Sequence, residues 1–100
     1  MLSPETRKAF YETLGDYAIA TNNLDTAVKA YEKAGFKEGF IKIGDKYVEK
    51  GQSRDAIEAY EKAGLASGTK SEMKKLADLY EKAGKGRKAM ELRRKIATKK

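Results

Sequence analysis

Apolar residues recur along this chain at intervals of three and four positions, the spacing of one face of an α-helix. In the first stretch they are Phe10, Leu14, Tyr17 and Ala18, and similar stretches follow five more times. Glycine- and asparagine-containing turns separate the stretches, and no segment alternates with period two. The pattern predicts an all-α chain of six helices, each about 11–15 residues long, whose short connections make successive helices pack antiparallel.

Local signals mark where several of these helices begin and end. Ser3 can cap the first helix, and Pro4 suits its first position. Thr69, followed three residues later by Glu72, predicts a capping box for the fifth helix. The sixth helix is predicted to begin near Gly86. Residues 65–68 are predicted to form a longer connection between the fourth and fifth helices.

The sequence Tyr-Glu-Lys-Ala-Gly occurs three times, at residues 31–35, 60–64 and 80–84. Its intervals are 29 and 20 residues, which is irregular for a repeat unit. The first two copies end second helices of predicted pairs, whereas the third ends a first helix. We therefore interpret the motif as a helix ending that is used in two different places, with an inward tyrosine and a glycine that favours a left-handed turn.

A more regular feature is a step of thirteen residues from Leu or Ile in one helix to Ala in the next. A small residue follows each Leu or Ile, and an aromatic residue follows the first two of the alanines. The positions are Leu14, Gly15, Ala27 and Tyr31; Ile43, Gly44, Ala56 and Tyr60; and Leu76, Ala77 and Ala89. Small residues at these places would let paired helices approach closely.

This pattern resembles the tetratricopeptide repeat, in which an aromatic residue, Leu-Gly, Ala and a second aromatic recur across a helix pair. The resemblance covers residues 7–97 and implies three repeats within a single domain spanning 1–100, at about 7–35, 36–64 and 69–97. It implies a right-handed α-solenoid of three antiparallel helix pairs. The intervals of 29 and 33 residues are shorter than the family's 34. Arg93 stands where the first two repeats have tyrosine, as a charged end of the array would require.

The composition narrows the possible functions. The 100 residues suit one domain and include no Cys and no His, which removes disulfides, thiolates and the commonest general base and metal ligand. We therefore expect no enzyme, no cofactor and no metal site. No run of about 18 apolar residues is present, and the start lacks a secretory signal pattern, so we expect a cytoplasmic protein that does not enter membranes. The abundance of Lys and Glu is typical of proteins from thermophilic sources.

The net charge of +7 is concentrated at the end of the chain. Residues 1–84 contain equal numbers of acidic and basic residues, whereas residues 85–100 contain eight basic residues and Glu91 alone. A phosphate-binding surface there would use Lys85, Arg87, Lys88, Arg93, Arg94 and Lys95. The alternative interpretation is a solvated run of charge, since the aromatic residues fall mainly on packing positions and do not predict base stacking.

In the family, first helices of successive repeats line a concave groove that holds a peptide or a helix. The resemblance places seven acidic residues against two lysines there, with several apolar residues between them. The groove residues proposed to bind a partner are Glu12, Asp16, Ile19, Glu38, Ile41, Asp45, Val48, Glu49, Asp78 and Glu81. Asp16, Asp45 and Asp78 occupy one equivalent position and form an acidic ladder. The alternative interpretation is a solvated face whose carboxylates pair with neighbouring lysines.

These observations lead to three functional hypotheses. The first is an adaptor or scaffold that binds a basic or amphipathic protein segment in the acidic groove. The second is nucleic-acid binding through the basic last helix. The third is head-to-tail self-association, in which the basic helix of one copy occupies the groove of another.

Overall fold

The computed structural model describes residues 3–99. Met1 and Leu2, which belong to the start that lacks a signal pattern, and Lys100, the end of the predicted basic tail, lie outside this range. Residues 3–99 form six α-helices and no strand, which confirms the predicted all-α class. The helices are α1 Pro4–Ala20, α2 Leu24–Ala34, α3 Lys37–Glu49, α4 Ser53–Lys62, α5 Lys70–Lys82 and α6 Gly86–Thr98. Within that range, no helix combines the length and the apolar character needed to cross a membrane.

The predicted caps are present. Ser3 accepts a hydrogen bond from the Thr6 amide at 3.1 Å, with Pro4 at the first helical position of α1. The Thr69 hydroxyl accepts from the Glu72 amide at 3.1 Å, while the Thr69 amide donates to the Glu72 carboxylate at 2.9 Å. These bonds satisfy amides that have no partner inside the helix, so they fix where α1 and α5 begin.

Helices that follow one another in the sequence pack together. The most extensive contacts join α1 to α2, α3 to α4 and α5 to α6, and smaller contacts join α2 to α3, α4 to α5 and α1 to α3. The structure is elongated, measuring 47 × 30 × 15 Å. Every helix therefore contacts its neighbours in the sequence, and α1 and α3 also touch each other directly.

Two clusters of buried side chains form the core. One joins α4, α5 and α6 around Ile57, Tyr60 and Leu76, and the other joins α1 to α4 around Tyr31 and Ile43. The rings of Tyr31 and Tyr60 are almost completely buried, at 0% and 1% exposure. The predicted inward position of these motif tyrosines is confirmed.

Three glycines in α1 and α3 make room for tyrosine rings. A methyl group at Gly15 or at Gly39 would overlap the ring of Tyr31, and a methyl group at Gly44 would overlap the ring of Tyr60. The sequence predicted that Gly15 and Gly44 allow close approach to small alanines. The space is in fact filled by an aromatic ring. The ring of Tyr31, in α2, contacts both Gly15 of α1 and Gly39 of α3, so this one side chain joins three helices.

Two apolar residues that helped to predict α1 do not face the core. Phe10 is 55% exposed and Tyr17 is 67% exposed. Helices α3 and α5 contact α2 and α4, which precede them, whereas no helix precedes α1 within residues 3–99. The predicted connection at 65–68 contains a short 3-10 helix, Leu65–Ser67, and buries Leu65 at 1% exposure.

Candidate functional site

Asp16 and Asp45, two members of the predicted acidic ladder, accept hydrogen bonds from buried tyrosines. The Tyr31 hydroxyl donates to Asp16 at 2.5 Å, and the Tyr60 hydroxyl donates to Asp45. In both cases the tyrosine lies fifteen residues after the aspartate, on the second helix of the pair. These two aspartates of the ladder are therefore each bonded to a tyrosine whose ring is buried in the core.

A lysine from the next first helix reaches each of these aspartates. The Lys42 ammonium lies 2.9 Å from Asp16, joining α3 to α1, and the Lys75 ammonium lies 3.3 Å from Asp45, joining α5 to α3. The side chains remain about half exposed, so each ion pair contributes modestly to stability. Each aspartate nevertheless receives one neutral and one charged donor.

In the third pair a single arginine takes both roles. Arg93, in α6, donates to Asp78 at 2.7 Å and to Glu81 at 2.7 Å. It lies fifteen residues after Asp78, at the place of the tyrosine in the first two pairs. The sequence predicted a charged end residue here, and its guanidinium supplies the charge that a following lysine supplies elsewhere.

These contacts set the ionisation of the groups involved. The hydrogen bond from Tyr31, assisted by Lys42, holds the pKa of Asp16 below its usual value. Burial, together with the hydrogen-bonded carboxylate, raises the pKa of Tyr31, Tyr60 and Tyr80. Tyr80 donates to Glu61 at 2.5 Å. The hydroxyls therefore stay protonated and act as donors.

The ladder is less acidic than the sequence suggested. Mapping by position counted the carboxylates but missed Lys42, Lys75 and Arg93, which neutralise Asp16, Asp45 and Asp78 in turn. The sequence did indicate that lysines lie on the ladder face. Lys42 precedes Asp45 by three residues, and Lys75 precedes Asp78 by three, so each lysine shares a helix face with an aspartate of the ladder. For these three aspartates the geometry favours the alternative of a paired, solvated face.

The remaining predicted groove residues are accessible. Glu81 contacts Arg93, and Glu49 contacts Lys46 at 3.6 Å. Within residues 3–99, Glu12 and Glu38 form no ion pair. The half-exposed or exposed members are Glu12, Ile19, Glu38, Ile41, Val48, Glu49 and Glu81.

An open cavity of about 600 Å³ lies between α3 and α5. We call it the central groove, and its lining residues are Asp45, Val48, Glu49, Tyr60, Lys75, Asp78, Leu79 and Lys82. Val48 is 42% exposed there, while Leu79 is buried at 7% exposure. Four residues of the predicted site therefore meet in one place, namely Asp45, Val48, Glu49 and Asp78.

The predicted basic residues do not converge in the same way. Arg93 is held by α5, and the Lys88 ammonium lies 5.6 Å from the centre of the Tyr80 ring. Arg94 and Lys95 line a separate depression with Glu91. Lys85 and Arg87 are exposed near the start of α6. These positions give weaker support to a phosphate-binding face than the central groove gives to a peptide site.

No group of three or more acidic side chains within residues 3–99 is placed to hold a metal ion. No protein-family model, curated protein or solved structure matches this chain. Its function therefore has to be inferred from its own residues and their contacts.

Proposed function

We propose that this chain is a tetratricopeptide-like interaction module that binds a basic or amphipathic protein segment in the central groove. In this proposal three antiparallel helix pairs form a right-handed solenoid, and the first helices line its concave side. The observation that carries the proposal is the 600 Å³ opening between α3 and α5, where an exposed apolar residue is surrounded by charged ones. Such a site suits recognition, because the apolar residue gives affinity and the charges give selectivity.

The repeated architecture is supported by the aspartate contacts. The same fifteen-residue offset joins Asp16 to Tyr31, Asp45 to Tyr60 and Asp78 to Arg93. A helix pair that recurs with one internal bond at one offset is the behaviour of a structural repeat. The lysine contacts then join one first helix to the next, as stacking of repeats requires.

The groove chemistry indicates what a ligand would look like. Val48, which is exposed in the groove, offers an apolar surface for one aliphatic or aromatic side chain of the partner. Lys75 already neutralises Asp45, and Arg93 already neutralises Asp78. Glu49 has only a contact of 3.6 Å to Lys46, so it is the carboxylate best able to receive a cation from the partner. The preferred segment carries an apolar anchor flanked by Lys or Arg.

Fluorescence anisotropy with labelled helical peptides tests this proposal. A basic amphipathic peptide should bind more tightly than the same peptide with Lys replaced by Glu, because the groove carries an accessible carboxylate. Val48→Arg, which places a cation on the apolar surface, should weaken binding about tenfold or more, the loss of about 1.4 kcal/mol.

The matched control is Tyr17→Arg, which adds the same charge at an exposed apolar position of α1 outside the groove. It should leave binding unchanged. Equal losses in the two variants, or preference for the acidic peptide, would show that the central groove is not the binding site.

A further inference from the structure

A second cleft, of about 430 Å³, lies between α2 and α4. Its floor is made of buried and half-buried side chains, and its rim is charged. The floor residues are Val28, Phe40, Ile43, Tyr47 and Ala59, and the rim residues are Asp25, Lys29, Glu32, Asp55, Glu58 and Lys62. We call it the α2–α4 cleft. Its charged rim comes from α2 and α4, and most of its apolar floor comes from α3. It shares no lining residue with the central groove, so the two sites are separate.

The rim of this cleft carries four carboxylates and two lysines. Glu32 pairs with Lys62 at 3.7 Å. Within residues 3–99, Asp25, Asp55 and Glu58 form no ion pair. Burial raises the pKa of Tyr47 on the floor, and Asp55, Asp25 and Glu58 raise it further, so the field of all three carboxylates reaches that hydroxyl. The cleft therefore offers apolar contact below and negative charge above.

The outer face of α6 has the complementary pattern. Met90 is 64% exposed, although the equivalent residues of the first two pairs, Val28 and Ile57, pack against the core clusters. Arg87 precedes Met90 by three residues and Arg94 follows it by four, which places all three on one face of the helix. Both arginines are exposed, and neither forms an ion pair within residues 3–99.

We propose that α6 of one copy docks over the α2–α4 cleft of a second copy. Met90 would contact the apolar floor, and Arg87 and Arg94 would meet the three carboxylates of the rim. The two surfaces are complementary, because α6 presents an exposed methionine between two unpaired arginines and the cleft has an apolar floor with three unpaired carboxylates. The α2–α4 cleft is a different docking site from the predicted concave groove. In that groove the ladder aspartates already have cationic partners within the same chain.

The geometry of such a contact determines what assembly it makes. The cleft and α6 are different surfaces of one chain, so the interface is heterologous and produces a ring or an open array. The net charge of +7 on each copy opposes association at low ionic strength. Salt screens both this overall repulsion and the local attraction between α6 and the cleft. As with any association of separate copies, the extent of assembly rises with protein concentration.

Sedimentation equilibrium of the full chain over a range of concentrations tests the proposal. Two variants, Met90→Glu and the double charge reversal Asp55→Lys with Glu58→Lys, should each weaken self-association at least about tenfold. The control is Glu12→Lys with Glu38→Lys, which lies in the predicted concave groove and changes the net charge by the same amount as the double charge reversal. It should associate like the unchanged chain. All the changed residues are exposed except Glu12, which is half-buried, and circular dichroism checks that each variant remains folded.

A charge exchange makes the test specific. The double variant Arg87→Glu with Arg94→Glu should not associate alone. It should associate when mixed with the double variant Asp55→Lys with Glu58→Lys, because the α6 of each variant then meets a cleft of opposite charge on the other. A chain that is monomeric at every concentration overturns the proposal. Equal weakening by the groove control also overturns it, since docking would then involve the concave side. Peptide binding to the central groove is measured separately, so either proposal can fail without the other.

Discussion

Removing the hydroxyl of Tyr31 tests the role of the aspartate contacts with the smallest possible change. Tyr31→Phe keeps the ring, which is buried and packs against Phe36 and Phe40 with ring centres 5.6 and 6.4 Å away. It removes only the donor that lies 2.5 Å from Asp16. Any loss of stability can therefore be assigned to the hydrogen bond and not to the packing of the core.

The expected loss follows from the surroundings of the bond. A hydrogen bond to a charged group contributes about 1.5–3 kcal/mol. Asp16 is 51% exposed and keeps Lys42 as a partner, so water can replace part of what is lost. We expect the free energy of unfolding to fall by about 1.5–2 kcal/mol. For a chain of this size, that lowers Tm by roughly 6–16 °C.

Urea denaturation followed by circular dichroism measures the change, and an unchanged m-value would show that the same surface is exposed on unfolding. Tyr17→Phe is the matched control. Tyr17 is 67% exposed, and its hydroxyl forms no hydrogen bond within residues 3–99. The control should alter stability by no more than about 0.5 kcal/mol.

A double-mutant cycle completes this test. Asp16→Asn should be less damaging in the Tyr31→Phe background than in the unchanged chain, because the partner hydroxyl is already gone. Equal effects of Asp16→Asn in both backgrounds would refute the assignment. So would a Tyr31→Phe variant as stable as the Tyr17→Phe control.

Three further predictions concern stability. Thr69→Ala should lower the free energy of unfolding by about 1 kcal/mol through loss of the capping box, whereas exposed Ser71→Ala should change it by less than about 0.5 kcal/mol. Leu65→Ala should cost about 2–5 kcal/mol in chemical denaturation, and a cost below about 1 kcal/mol would contradict its role in the core. The pKa values of Tyr31, Tyr60 and Tyr80 are higher in the folded chain than the usual tyrosine value of 10, so their protonated hydroxyls stabilise the fold. This stabilisation is complete below pH 10 and is lost as the pH rises above it. Tm should therefore fall above pH 10, and ultraviolet titration should show late ionisation of Tyr31, Tyr60 and Tyr80; ionisation at pH 10 would contradict this.

The helices could be predicted because their signals are local. The capping box at Thr69 involves residues three apart, and its geometry follows from the sequence alone. The glycine that ends each Tyr-Glu-Lys-Ala-Gly copy adopts a left-handed conformation, from φ 63° at Gly35 to φ 80° at Gly84. Neither signal depends on how the helices pack against one another.

The charge balance of the groove could not be read in the same way. Lys42 is 26 residues from Asp16, and Lys75 is 30 residues from Asp45. Whether such residues meet depends on how one helix pair is placed against the next, which position within a repeat does not determine. The exposure of Phe10 has a related cause, because periodicity identifies an apolar face without showing what covers it.

The central claim, binding of a basic amphipathic segment in the groove between α3 and α5, is tested most directly by nuclear magnetic resonance. The ¹⁵N-labelled chain is titrated with the basic peptide, and backbone amide shifts are followed residue by residue. We expect the shifts to concentrate at residues 45–49 of α3 and 75–82 of α5, with little change in α2. Shifts concentrated around Asp25, Asp55 and Glu58, or no saturable shifts at all, would contradict the claim.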